Sequence, residues 1–219
     1  MFLGHFGVGF GAKPAAPRRS LGLFFLAAQW ADLLWPVLLL AGWEVVEIEP
    51  GATRLTPLAF VHYPISHSLV AELVWGVLLG LTVLAATRDR SGAVVCALLV
   101  PSHWLLDVLV HRPDLPLTLR GEARVGLGLW NVPSAALTLE LGFLAAGLAL
   151  YLRATRPLDR TGRWGPWALA GFLVAVYAAN VLGPPPPSVP AIAWAGQAQW
   201  LLVLFGWWVD RHRAPRALG

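Results

Sequence analysis

The stretch SGAVVCALLVPSHWLLDVLVH, residues 91–111, decides the fold. It is long enough to cross about 30 Å of hydrocarbon as a helix. Yet it carries His103, Asp107 and His111 at spacings i, i+4 and i+8. Four residues turn a helix by about 400°, so the three share one gently climbing stripe. Cα atoms of His103 and His111 stand about 12 Å apart on that stripe, and those of His103 and Asp107 about 6 Å. The first pair can share a metal, whereas His111 suits a second metal or a substrate.

The rest of the chain is as apolar. Of 219 residues, 57% are hydrophobic and 13% charged, with a mean hydropathy of +0.64, which excludes a water-soluble globule, a disordered chain and a disulfide scaffold. The single Cys96 has no partner for a disulfide within the chain. Lys13 is the only lysine and there is no dense basic run, so a nucleic-acid partner is not expected. The sequence predicts an all-α, polytopic transmembrane bundle forming one domain. Six spans are expected near 21–42, 66–86, 91–111, 131–152, 164–183 and 190–209, with a short half-helix or re-entrant piece at 1–12. That apolar piece is followed, not preceded, by Lys13, Arg18 and Arg19, unlike a signal peptide.

With a cytoplasmic N-terminus, the outer loops hold only Arg54, Arg112, Arg120 and Arg124 of the sixteen Lys and Arg. The bias places the 43–65 and 112–130 loops outside, both termini inside, and the chain in a bacterial-type inner (plasma) membrane with its lipids as partners. Glu44, Glu47 and Glu49 fall on the outer face, and the proline-rich 184–190 segment reads as a stiff outer hairpin. Most of the twelve Trp lie toward span ends as an interfacial belt. No internal repeat is evident, which weighs against an inverted-repeat transporter.

Three further segments carry polar chemistry. Asp32 sits in the middle of the first span, where its apolar neighbours outweigh the insertion cost of about 2.5–3.5 kcal/mol, and Pro36 is expected to kink that helix. An intramembrane carboxylate is by default a functional-site candidate. The segment HYPISHSL, residues 62–69, allows a loop to bend His62 toward His67, with Ser66 capping the second helix. His5 lies in the first apolar piece, and only His212 falls outside the pattern. Neutral imidazoles and carboxylates in a membrane are accommodated together by a divalent cation. Imidazole and carboxylate without thiolate suit Zn, with Mn or Fe also compatible.

Gly4-His5, Asp32, the H-x-x-x-x-H-S-L at 62–69 and the S-H-x-L-L-D at 102–107 resemble the YdjM-like family of inner-membrane metal-dependent hydrolases, over roughly residues 1–115. The order of these groups is also similar to that in zinc-dependent phospholipase C and the single-strand zinc nucleases. The resemblance implies His5, Asp32, His67, His103 and Asp107 as metal ligands, with His62 and His111 as further ligands or phosphate contacts. It implies phosphoesterase-like hydrolysis. Tyr63 and Pro64 stand where that family has Arg-Gly, and no later His-x-x-x-Glu completes a third site, although Glu140 and Asn131 are candidates. A mononuclear or binuclear centre is therefore expected, with residues 116–219 as supporting helices.

The leading expectation is metal-assisted hydrolysis of a phosphoester or other ester of a lipid-like substrate at the outer leaflet. Asp32 or Asp107 would orient or deprotonate the water, and Arg112 or Arg54 would hold an anionic group. The alternative is an ion- or proton-coupled transporter or channel relaying through Asp32, Glu72, Asp107 and Glu140. A haem-binding or purely structural bundle is a third possibility. Glu72 is expected to reach the interface, and Asp114 to be a turn residue.

Overall fold

The computed structural model describes residues 1–216. Its helices, in order, are α1 (Leu3–Gly11), α2 (Leu21–Ala28), α3 (Trp30–Leu40), α4 (Pro64–His67), α5 (Leu69–Thr87), α6 (Arg90–Val110), α7 (Pro133–Ala154), α8 (Arg160–Leu182), α9 (Val189–Gln197) and α10 (Gln199–Arg211). Among the described residues, five helical stretches are long and apolar enough to cross a membrane: α5, α6, α7, α8 and the α9–α10 pair. The bent pair α2–α3 makes a sixth if counted as one span. The protein is thus a mostly helical bundle of membrane-spanning character, with α1 as a short helix buried among the longer ones.

Two local expectations are corrected. The first span breaks at Gln29, with a 56° bend between α2 and α3, while Pro36 sits inside α3 without ending it. Pro36 instead packs against Gly196 of α9, where a Cβ would collide with its ring. The cap of α5 is Ser68, whose hydroxyl accepts from the Ala71 amide at 3.1 Å, and not Ser66. Ser20, Asp89, Asp159 and Ser188 cap α2, α6, α8 and α9 in the same way, accepting from first-turn amides that have no partner within the helix.

The loops are more regular than an all-α reading allows. β1 (Val45–Ile48) pairs antiparallel with β2 (Leu58–His62), β3 (Leu115–Pro116) with β4 (Arg124–Val125), and β5 (Thr155–Pro157) with β6 (Arg213–Pro215). The first two ribbons meet at one end of the bundle, where Arg124 Nη2 donates to the Val61 carbonyl at 2.8 Å. The third lies at the end where Lys13 pairs with Asp210 at 2.7 Å and Arg19 with Asp89 at 2.9 Å. Segments assigned to a common face from their charges therefore do meet.

Close backbone approach seats α1. The carbonyl of Gly7 lies where a Cβ on Gly147 of α7 would be, and the main chain of Phe143 where a Cβ on Gly7 would be. Leu3, Phe6 and Phe10 are fully buried behind this contact, joined to Phe25 and Tyr151 by edge-on ring packing. Gly147→Val forces the two backbones apart and is expected to lower stability by about 1–3 kcal/mol, the usual range for overpacking. Thermal unfolding in detergent measures it, and an unchanged midpoint would contradict the packing.

At the start of α8 the Gly162 amide, 2.8 Å from Asp159 Oδ1, and then the His212 ring hold the Asp159 carboxyl below its ordinary range. A depressed carboxylate stabilises the folded state above its unfolded pKa of about 4, and that contribution fades as pH falls through the lower folded value. The protection of the Gly162 amide against exchange, relative to the rate of an unstructured amide at the same pH, should fall on acidification below about pH 4. Asp159→Asn should remove that dependence.

Candidate metal centre

Four separate segments converge on one buried point. α1 contributes His5, α3 Asp32, α4 His67, and α6 both His103 and Asp107. His5, His103 and Asp107 offer ligand atoms all within 4.8 Å of one another, as do Asp32, His67 and His103, so His103 is common to both groups. His5 Nε2 lies 3.1 Å from Asp107 Oδ1 and His103 Nε2 3.3 Å from Asp107 Oδ2. Asp32 Oδ1 lies 3.4 Å from His67 Nε2 and 3.8 Å from His103 Nε2. The His5 and His103 rings stack with centroids 3.6 Å apart. Among the five, only the Asp32 side chain keeps appreciable exposure, at 22%.

The α2–α3 bend orients the shared histidine. Ala28 ends α2, and its carbonyl accepts from His103 Nδ1 at 2.8 Å. Since a carbonyl can only accept, Nδ1 carries a hydrogen, and Nε2 is the nitrogen turned to the carboxylates, a lone pair when the ring is neutral and an N–H when it is charged. That Nε2 is buried without a hydrogen-bond partner, between two carboxylates. Two carboxylates around one ring nitrogen in a low-dielectric interior require positive charge among them, as a proton on the ring or as a bound cation. The Met1 ammonium hydrogen-bonds Asp107 Oδ1, leaving Oδ2 toward His103 and His111.

His111 closes α6 beside the centre, with Nε2 3.7 Å from Asp107 Oδ2. Its Nδ1 is 3.0 Å from Asp114 Oδ1, which also accepts from the Tyr63 hydroxyl at 3.3 Å. Asp114 is therefore a buried anchor for His111 and not merely a turn residue. Burial, with the Asp114 carboxylate next, holds the Tyr63 hydroxyl well above the phenol range and keeps it a donor. Arg112 is engaged by Asp114, with Nε 3.1 Å from Oδ2.

His62 is not brought to the centre. It ends β2 with its side chain exposed, as is that of Val61 before it, while Tyr63, which follows the strand, is buried. Arg54 and Asn131 are exposed as well. Glu72 is buried and not interfacial: Oε2 accepts from the Trp104 amide at 3.2 Å, one residue past His103. Glu140 is buried too, but it works as a cap for α1. Its Oε1 accepts from the Phe2 amide at 2.9 Å and its Oε2 from the Gly4 amide at 2.8 Å.

Sequence reasoning missed the partners of His67. Glu44, assigned to the outer face, is buried, with Oε2 2.6 Å from Ser66 Oγ, which lies 2.7 Å from His67 Nδ1. Its position 21 residues before Ile65 leaves no local pattern to find.

No family model, curated protein or solved structure matches the chain.

Glu140→Ala leaves the buried Gly4 amide unpaired and the Phe2 amide without its acceptor, at a cost of about 1–3 kcal/mol per buried group. It should also loosen the helix that carries His5. Glu140→Gln keeps one acceptor and should fall between wild type and alanine in thermal unfolding; equal midpoints for all three would refute the capping role.

Proposed function

We propose that the protein is a membrane-embedded metal-dependent hydrolase acting on a phosphoester or other ester of a lipid-like substrate near the outer leaflet, as the resemblance to the YdjM-like family implies. One observation carries this: the buried His103 Nε2, without a hydrogen-bond partner among the described residues, faces Asp107 and Asp32 and is common to two ligand groups, one completed by His5 and one by His67. A divalent cation would answer the acceptors of either group, His5–His103–Asp107 or Asp32–His67–His103, which meet at His103. The candidate ligands are thus His5, Asp32, His67, His103 and Asp107, a donor set that suits Zn, with Mn or Fe compatible. When bound, such an ion acts as a Lewis acid and brings the pKa of a coordinated water toward 7.

The residues supply the rest. Asp32, the partly exposed carboxylate, would hold the ion through Oδ1 and use its second oxygen to orient the attacking water and take its proton. Water would add to phosphorus as its proton passes to Asp32, the ester P–O bond would break, and the leaving alkoxide would take that proton back from Asp32 to depart as the alcohol. His111, tied to Asp114, steadies Asp107 from the outer side. His103 lies seven residues inside the end of α6, about 10 Å along the helix, a depth suited to the ester linkage of a bilayer lipid. The positive-inside bias supports placing the β1–β2 end outside, in a plasma-type inner membrane.

A proton relay is the other reading considered. It would use Glu140, whose oxygens are already occupied by two main-chain amides, and this favours the hydrolase.

Protein purified in detergent should contain zinc or a similar metal by elemental analysis and should hydrolyse a phospholipid or an aryl phosphodiester in a chelator-sensitive manner. His103→Ala and Asp107→Ala should lose the metal and reduce turnover by at least about 100-fold, while His62→Ala keeps both. Hydrolysis that persists in metal-stripped protein, or a His103→Ala variant with full metal content, would overturn the proposal.

A further inference from the structure

The turn α4 places Ser66 between a carboxylate and an imidazole, and the proton count there has one solution. Ser66 Oγ lies 2.6 Å from Glu44 Oε2 and 2.7 Å from His67 Nδ1. A hydroxyl has one hydrogen to give, and a carboxylate can only accept, so that hydrogen goes to Glu44. The His67 Nδ1 contact is then closed by a hydrogen on the ring, donated to a Ser66 lone pair. Nε2 of the neutral ring is left bare, and it faces Asp32 Oδ1 at 3.4 Å. Glu44 cannot swing away: its Oε1 accepts from the Ile65 and Ser66 amides, at 2.8 Å each. All three side chains are buried.

We propose that Glu44 and Ser66 are positioning residues, which hold His67 in its Nδ1–H form and so present its Nε2 lone pair to the candidate metal centre. This deepens the metal reading and rests on it only for what the lone pair binds. The arrangement parallels His103, whose Nδ1 is held by the Ala28 carbonyl, so both rings offer the same nitrogen to the same carboxylate, Asp32. Ligating histidines commonly owe their orientation to such a partner on the other ring nitrogen.

A plain loop staple, tying the start of β1 to α4, would use the same hydrogen bonds. It would not depend on which way they run. Glu44→Gln separates the two, because glutamine has nearly the same shape and its oxygen still accepts from the Ile65 and Ser66 amides. Its NH2 then donates to Ser66 Oγ, the Ser66 hydrogen turns to His67 Nδ1, and the ring hydrogen is driven to Nε2.

Nitrogen-15 NMR of His67 in the metal-stripped full chain reads this directly. The wild type should show a protonated Nδ1 and an unprotonated Nε2, Glu44→Gln the reverse, and Ser66→Ala a mixture. Zinc affinity by titration should fall about 10–100-fold in Glu44→Gln and Ser66→Ala, return in Ser66→Thr, and be no weaker in the double variant than in the weaker single one. A wild-type ring protonated on Nε2, or Glu44→Gln with the wild-type tautomer and zinc affinity, overturns the proposal. Should Glu44→Gln not fold, the Ser66→Ala and Ser66→Thr pair decides it by the same two readouts. If the wild type takes up no metal while the tautomers exchange as described, the metal reading falls and the Glu44–Ser66 control of His67 stands.

Discussion

Carboxylates withdrawn from water must be answered, and the protein answers nearly all of its own with fixed donors. Asp210 takes Lys13, the Tyr151 hydroxyl and the Leu21 amide; Glu140 takes two amides of the α1 start; Glu44 takes two amides and a hydroxyl. Each arrangement replaces lost hydration by hydrogen bonds of the right polarity. The cluster around His103 is different. Asp107 Oδ2 and Asp32 Oδ1 face Nε2 of a ring whose Nδ1 hydrogen sits on the far side, bonded to Ala28. Glu72 Oε1 is likewise a buried carboxylate oxygen without a hydrogen-bond partner among the described residues, and it too belongs to a helix packed against His103, so the unanswered acid is concentrated at this end of α6.

The site depends on a short helix that could not hold itself. α1 has nine residues, well below the length at which an isolated helix is stable, and no side-chain cap of its own at its N-terminal end. Glu140 supplies that cap from α7, and the glycine contact with Gly147 brings the two axes close enough for it to reach. His5 then stacks on His103 in an orientation set by α7. The half of the chain that contributes no residue to the cluster thereby determines where His5 stands.

What could be read from the sequence was what depends on near neighbours in the chain. The stripe of His103, Asp107 and His111 follows from helical spacing, and the apolar lengths mark the spans, because both are properties of a single segment. The break of the first span was misplaced because Pro36 is the stronger local signal, whereas the bend at Gln29 is a tertiary outcome with no breaker residue. His62 was misread because a loop leaves side-chain direction open and β2 fixes it outward. Glu44, Asp114 and Glu72 gained their roles from contacts with ring or main-chain atoms that no spacing encodes.

The bend at Gln29 does two things that an unbroken span could not do together. It ends α2 with a carbonyl available to His103 Nδ1, and it redirects α3 so that Asp32 meets both His103 and His67. Interrupted helices at membrane depth are tolerated where neighbouring protein or a cavity satisfies the freed backbone. Here the freed group is satisfied by a side chain of the site itself, so straightening the span would remove the hydrogen bond that turns His103 Nε2 toward the cluster and withdraw the carboxylate facing it. Helix geometry and ligand chemistry are in that sense one constraint, expressed at residues 28–32 and read out at residue 103.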